Sequence, residues 1–331
     1  MVSLGNENQR RSFGEQFSSL KYLLKNSVTV VNRNREVMYP WVAMMIYSFV
    51  TATLFFFGVA AILGGAWILA LPWLFLSTAM WFYRFFFHSY QKTRLSWLVY
   101  ETLCGRQRSF MDSRKRTAQL KGSVRKIALL TMIMSYVGSR KSKKGGILGL
   151  LFNLLMAGLA KVLDLAKHYL LPSVAVDGLG FKEAAEQMKD LKERVPETLV
   201  GLFGVDILGK IAAKIISPLY FIIGVIGVAL AWALGDIAPA VFTLEITDVN
   251  VEGGGTIESV TFAWPIILGM LFLCKSISIV VAYAVAALKV SYFTVFYTQI
   301  THPDHFAPAL RDDMESFLRL EEDVELEMEA V

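Results

Sequence analysis

Charge is scarce in this chain. Only 18% of its 331 residues are Asp, Glu, Lys or Arg, against 55% apolar residues, where a soluble domain carries about one quarter charged residues. That balance excludes a disordered, fibrous or ordinary cytosolic protein and points to a bilayer. Cysteine is nearly absent. Cys104 and Cys274 are expected in different compartments, so no disulfide is expected between them, and no CxxC or His/Cys cluster offers a metal site. Catalytic motifs are missing as well: there is no HExxH and no GxSxG. Gly204-Val-Asp-Ile-Leu-Gly209-Lys210 departs from a phosphate-binding loop at its eighth position, where Ile211 replaces the Ser or Thr that holds magnesium. His302-Pro-Asp-His305 reads as a helix exit, since Pro and Asp are turn residues. The chain is expected to be no enzyme and to carry no cofactor and no metal.

What is present is apolar sequence in long runs. From Val37 to Tyr83 there are 47 consecutive residues without a charge, and each helical crossing needs about 20. Two crossings fit, with Gly64-Gly65 at the turn between them. Tyr39, Trp41, Trp67, Trp73, Trp81 and Tyr83 are aromatics suited to the interfacial belts. Ile215 to Gly235 supplies a third span, and Pro265 to about Ile300 a fourth, interrupted by Lys275 and Lys289. The segment between these two is different. Val241 to Val251 and Thr256 to Phe262 are β-branched and partly alternating about Glu252-Gly-Gly-Gly255, which predicts a β-hairpin. The expected fold is thus an all-α polytopic membrane protein with four transmembrane helices and a small β-hairpin. Ile127 to Ser139 and Gly145 to Ala160 are uncharged but short, fitting re-entrant, interfacial or buried helices. If the second lengthens through Lys161, Asp164 and Lys167, the count rises to six with the same parity.

Charge sets the expected orientation. Arg84 to Arg194 holds 21 basic and 8 acidic residues, whereas Asp236 to Trp264 holds five acids and no base. The positive-inside rule places the first segment in the cytoplasm, the hairpin outside, and both termini in the cytoplasm. No cleavable signal is visible, because the first apolar stretch starts late and is too long for a signal's apolar region. The chain then divides into 1–38 (amphipathic helix), 39–87 (helical hairpin), 88–198 (basic helical region), 199–235 (charged helix into the third span), 236–264 (acidic hairpin), 265–300 (fourth span) and 301–331 (acidic tail).

Several segments carry binding chemistry. Phe13, Phe17, Leu20, Leu24, Val28 and Val31 form one face of a helix over Ser12 to Asn32, which lies on lipid or docks on its own protein. Arg114-Lys115-Arg116, at the centre of the basic run Arg106 to Lys126, suits anionic lipid headgroups. Nucleic acid is not expected, because basic cytoplasmic loops are what the orientation rule already predicts. His302 to Val331 inverts the sign, with 10 acids and 2 bases. Its acid-rich helix suits a basic surface of its own or a neighbouring subunit, or another protein partner.

Inside the apolar runs, Lys275 is expected to face a partner or water, because an ionisable group at such depth is expensive. Asp206, Lys210 and Lys214 recur every fourth residue, giving one charged face that is either an intrahelical pair with a snorkelling lysine or the wall of an aqueous vestibule. Glu245, Asp248, Glu252 and Glu258 would gather cations at an outer mouth if subunits form a ring.

One stretch bears a resemblance. Tyr169-Leu-Leu-Pro-Ser-Val-Ala-Val-Asp-Gly-Leu-Gly-Phe-Lys-Glu-Ala184 resembles an element of an uncharacterised bacterial and archaeal family of integral membrane proteins. In that family an apolar helix ends in Pro, an acid and Gly follow, and a helix starting near Glu-Ala leads to a glycine-containing membrane helix. Pro172, Asp177, Gly178, Gly180, Glu183, Ala184, Gly201 and Gly204 match, while Gln187-Met-Lys-Asp stands where an Arg-Ser type run is typical. The resemblance implies a prokaryotic inner or plasma membrane and supplies no activity. Read from its residues, the stretch is a cytoplasmic elbow: Pro172 stops a helix, Gly178 and Gly180 reverse the chain, and Lys182 to Arg194 forms a charged helix. The functional expectation is an oligomeric passage for ions or small solutes. The competing expectation is a membrane scaffold that recruits a partner through its basic platform and acidic tail.

Overall fold

Backbone groups in hydrocarbon have no water to bond, so an uncharged run of this length must pair them internally. In the computed structural model, which describes residues 33–139, 170–194, 205–251 and 255–307, the run resolves into α1 (Met38–Leu63) and α2 (Trp67–Leu103). The turn between them closes by a Schellman pattern: Ala66 N–H donates to Ala61 O at 2.8 Å and Gly65 N–H to Ile62 O at 3.0 Å. Gly65 is left-handed with φ 78°, so the predicted glycine sits where one is required. The two helices run antiparallel. The Tyr47 hydroxyl donates to Met80 O at 2.8 Å, Ser77 Oγ donates to Thr51 O at 3.2 Å, and Gly58 faces Leu74 so closely that a Cβ would lie 2.6 Å from Leu74 Cδ2.

α2 is 37 residues long, about 55 Å at 1.5 Å per residue, well beyond a hydrocarbon core of about 30 Å. It ends by repeating the same cap, with Arg106 N–H on Glu101 O (2.9 Å), Gly105 N–H on Thr102 O (3.0 Å) and Gly105 at φ 75°. Two helices follow, α3 (Phe110–Gln119) and α4 (Lys121–Ser139). α3 opens on a capping box in which Ser109 and Asp112 each bond the other's backbone N–H. Beyond the undescribed residues comes a helical segment at 170–177, then α5 (Phe181–Arg194) and α6 (Val205–Ala233). β1 (Thr243–Val251) and β2 (Gly255–Ala263) pair antiparallel, Thr243 opposite Ala263 and Val251 opposite Gly255. α7 (Trp264–Thr301) starts directly from β2, with the Trp264 indole N–H on Val241 O at 3.0 Å.

Among the described residues, four helices are long and apolar enough to cross a membrane: Arg35–Leu63, Trp67–Leu103, Ile216–Ala233 and Trp264–Val295. Phe75, 78% exposed, and Phe221, 73% exposed, present large apolar surfaces, as side chains facing lipid would. Residues 127–139 belong to α4, which is not among the four. The N-terminal helix over 12–32, the apolar run 145–160 and the tail beyond 307 lie outside the described residues.

The chain forms two compact units: Met1–Val42, Phe85–Leu202 and Ala286–Val331 make one, and Ala43–Arg84 with Phe203–Val285 the other. The first has its own core, in which Val37, Leu95, Leu98, Val99, Leu103, Leu171 and Val290 pack together. A second cluster joins Leu120, Val124 and Ile127 to Leu170, Val174 and Ala184, with Phe181 and Ala185 packed against it. In the other unit, the rings of Phe49 and Phe56 meet Phe272 at 5.4 and 5.3 Å, and Gly227 lets Met270 approach to where a Cβ would stand 2.7 Å from its Cγ.

Nothing lies within 4 Å of a Cβ placed on Gly65, so the cost of a side chain there is backbone strain alone. Gly65→Ala should destabilise the protein by about 1–2 kcal/mol, and Gly65→Asn by less. Thermal unfolding in detergent checks this; equal losses for Ala and Asn would contradict it.

Candidate functional site

The elbow at 170–180 builds the site. Leu170, Leu171, Val174 and Ala175 are buried, which fixes the helical segment and leaves Asp177 at its last residue. A carboxylate at a helix C-terminus meets the negative end of the dipole and is unfavourable there without donors. Gly178, at φ 72°, then turns the chain, and Gly180 N–H donates to Glu183 Oε2 at 2.7 Å to open α5. The Arg116 guanidinium of α3 covers the outgoing backbone. Its Nη2 donates to Val176 O at 3.3 Å, and a Cβ on Gly178 would lie 2.6 Å from that nitrogen.

Three further side chains bring donors to Asp177. His302, just past the end of α7, places Nε2 2.6 Å from Oδ1. Tyr297, on the last turns of α7 and 1% exposed, donates its hydroxyl to Oδ2. Gln187 of α5 donates from Nε2 at 3.3 Å, while its Oε1 accepts from Ser173 Oγ at 2.6 Å and lies 2.8 Å from the Tyr297 hydroxyl. Burial, and then the Asp177 hydrogen bond, raise the Tyr297 pKa above its ordinary value, so the phenol stays a donor. The His302 ring stacks on His305 with centroids 4.7 Å apart and planes 4° from parallel. His305 Nδ1 is 2.9 Å from the Tyr100 hydroxyl of α2.

This arrangement orients an imidazole and holds a phenolic proton. It ties α7's exit, α5 and the elbow together through one carboxylate, while Arg116 fastens α3 to the elbow's backbone. Ser173 is 2% exposed and spends its proton on Gln187. Among the described residues no group of three His, Cys, Asp or Glu is placed to hold a metal ion.

The residues singled out in the sequence are distributed elsewhere. Lys275 lies 11 residues into α7 and is exposed on the surface of the chain. Asp206, Lys210 and Lys214 all fall on α6, in one helical row, with Lys214 exposed. The helix begins at Val205, so the stretch resembling a phosphate loop is helical from its second residue. Glu245 and Asp248 are on β1 and Glu258 on β2, Glu245 being exposed, while Glu252 lies outside the described residues. Arg114 and Lys115 are exposed on α3, whereas Arg116 is half-buried against the elbow. The Asp177 cluster was not assembled by sequence reasoning. Asp177 and the two histidines were each visible in motifs, but His302 and Asp177 are 125 residues apart. Comparison with protein-family models and with curated proteins finds no match for this chain.

Hydrogen bonds to charged groups contribute roughly 1.5–3 kcal/mol each, so Asp177→Ala should be among the more destabilising substitutions in this unit, by about 3 kcal/mol or more. A double-mutant cycle of Asp177→Asn with His302→Gln should show coupling of at least about 0.5 kcal/mol, and additive losses would contradict the pairing. Tyr297 adds a pH dependence. Its folded pKa exceeds the free value of 10.0, so its contribution is complete below that value and is lost as pH rises toward the folded one. Tyr297→Phe should therefore flatten the alkaline side of the stability profile above about pH 10; an unchanged slope would count against the assignment.

Proposed function

We propose that this chain is a non-enzymatic, homo-oligomeric membrane protein that forms a passage for ions or small solutes, with Lys275 facing it. The observation that carries this reading is the exposure of Lys275 on α7. Eleven residues separate it from Trp264, about 16 Å along the helix, half the thickness of a hydrocarbon core of about 30 Å. An ammonium left there against lipid costs at least about 2.5–3.5 kcal/mol. A neighbouring copy, with water between, removes that cost. The bases gathered in 84–194 and the acids of the β-hairpin support a cytoplasmic placement for the first and an external one for the second, with both termini inside. Glu245, Asp248, Glu252 and Glu258 would then lie at the outer mouth, and Asp206, Lys210 and Lys214 along the inner approach. The resemblance of the elbow to a bacterial and archaeal family supports a prokaryotic plasma membrane as the setting.

The second reading is a scaffold. It is favoured by the exposed bases Arg114 and Lys115 on α3, which suit the acidic tail of a neighbour or another acidic partner.

Planar-bilayer conductance of the purified protein separates the two. The passage predicts currents whose size or ion preference changes several-fold in Lys275→Met, since removing one fixed charge from a narrow pore alters its field. Silence from folded, inserted protein, or currents that ignore the substitution, would overturn it in favour of the scaffold.

A further inference from the structure

We propose that α3 and α4 together form an interfacial patch that docks on an anionic bilayer surface, with the side chains of Leu129 and Ile133 entering the headgroup and acyl boundary. The proposal needs the chain to be membrane-embedded and is independent of whether anything passes through it.

The faces of α4 are unambiguous. Val124 and Ile127 are buried against the elbow, and Ala128 is buried too, while Arg125, Leu129 and Ile133, spaced by four, are exposed, Leu129 by 42% and Ile133 by 56%. On α3 the buried side is Ser113 and Thr117, and the exposed side carries Met111, Arg114 and Lys115. Bases and large apolar side chains thus share one surface on both helices, the composition of a helix lying in the plane of a bilayer.

Charge selects the occupant. Phe110 to Ser139 contains six bases and one acid. That acid, Asp112, is engaged by the Ser109 backbone and hydroxyl, which hold its pKa below the usual carboxylate value. A second copy of the same patch would set like charges against each other, which is unfavourable. An anionic surface neutralises them.

Placement agrees with the charge. α3 begins seven residues after α2 ends, and its first turn is fastened to the start of α1, the first candidate span. The Phe110 N–H donates to Glu36 Oε2 at 2.9 Å, and Asn34 Nδ2 donates to Arg108 O at 3.2 Å. The ring of Tyr39, an aromatic suited to the interfacial belt, stands 5.9 Å from that of Phe110. The patch therefore starts beside the residues at which α1 begins.

The test uses full-length protein with Cys104 and Cys274 replaced by Ser and a fluorophore on Leu129→Cys or Ile133→Cys, both exposed sites. The protein is reconstituted in phosphatidylcholine vesicles with or without phosphatidylglycerol. The proposal predicts quenching by brominated lipid and protection from aqueous iodide when phosphatidylglycerol is present. That quenching should fall on raising salt and in Arg114→Gln/Lys115→Gln/Arg125→Gln, by about five-fold in docking equilibrium per charge removed. Iodide quenching in every lipid would overturn it, showing a surface open to water. Protection from both quenchers would also overturn it, showing a protein or a second copy on the patch. Lipid quenching that ignores phosphatidylglycerol would overturn the anionic part.

Discussion

Taking an ion out of water is the cost around which this structure is arranged. It explains why 47 residues after Arg35 and Glu36 carry no charge, and why the helices formed there expose phenylalanine and tryptophan. It also explains why charges begin where they do: Arg84 follows 17 uncharged residues of α2, and the helix then continues into a unit rich in bases. Without other secondary structure available to an isolated crossing segment, helices are the consequence. Lys275 is the exception that the constraint makes informative, because it stands exposed eleven residues into α7, within an apolar stretch of that helix.

The same constraint operates at Asp177 on a smaller scale. A carboxylate that ends a helix and is largely covered must be compensated, and here the compensation comes from α7, α5 and the histidine after α7. Arg116 adds a cation one residue away on the backbone. Because the donors arrive from separate parts of the chain, the carboxylate fixes the exit of α7 relative to the elbow. Tyr297 stands on the last turns of α7, so that end of the helix is anchored by this knot.

Much of the frame was legible because it follows from local signals. Uncharged length gave the helices, paired glycines gave the turn at Gly65, and β-branched alternation about a glycine run gave the hairpin. The elbow was readable only in part: Gly178 turns the chain as expected, whereas Pro172 lies inside the helical segment 170–177 and does not stop it, since a proline is tolerated in a first helical turn. What stayed hidden depends on distant pairing. Nothing near Asp177 announces His302, since each looks like an ordinary turn residue in its own segment. Gly105 repeats the cap of Gly65 but stands in a charged stretch without the apolar flanks that made the first one visible. Arg116 sits between Lys115 and Thr117 in a basic run, and only helical phase turns it inward while Arg114 and Lys115 stay exposed. α6 begins ten residues before the uncharged run that predicted it, because helix continues through Asp206, Lys210 and Lys214 at a spacing that keeps them on one side.

The copy number of the protein in the membrane tests the central idea most directly. Native mass measured from mild detergent, together with cross-linking through Lys275→Cys in a chain lacking Cys104 and Cys274, reports whether neighbours meet at that position. A discrete oligomer linked through residue 275 is the result predicted. A single copy at every protein-to-lipid ratio, with residue 275 reached only by lipid, would contradict it.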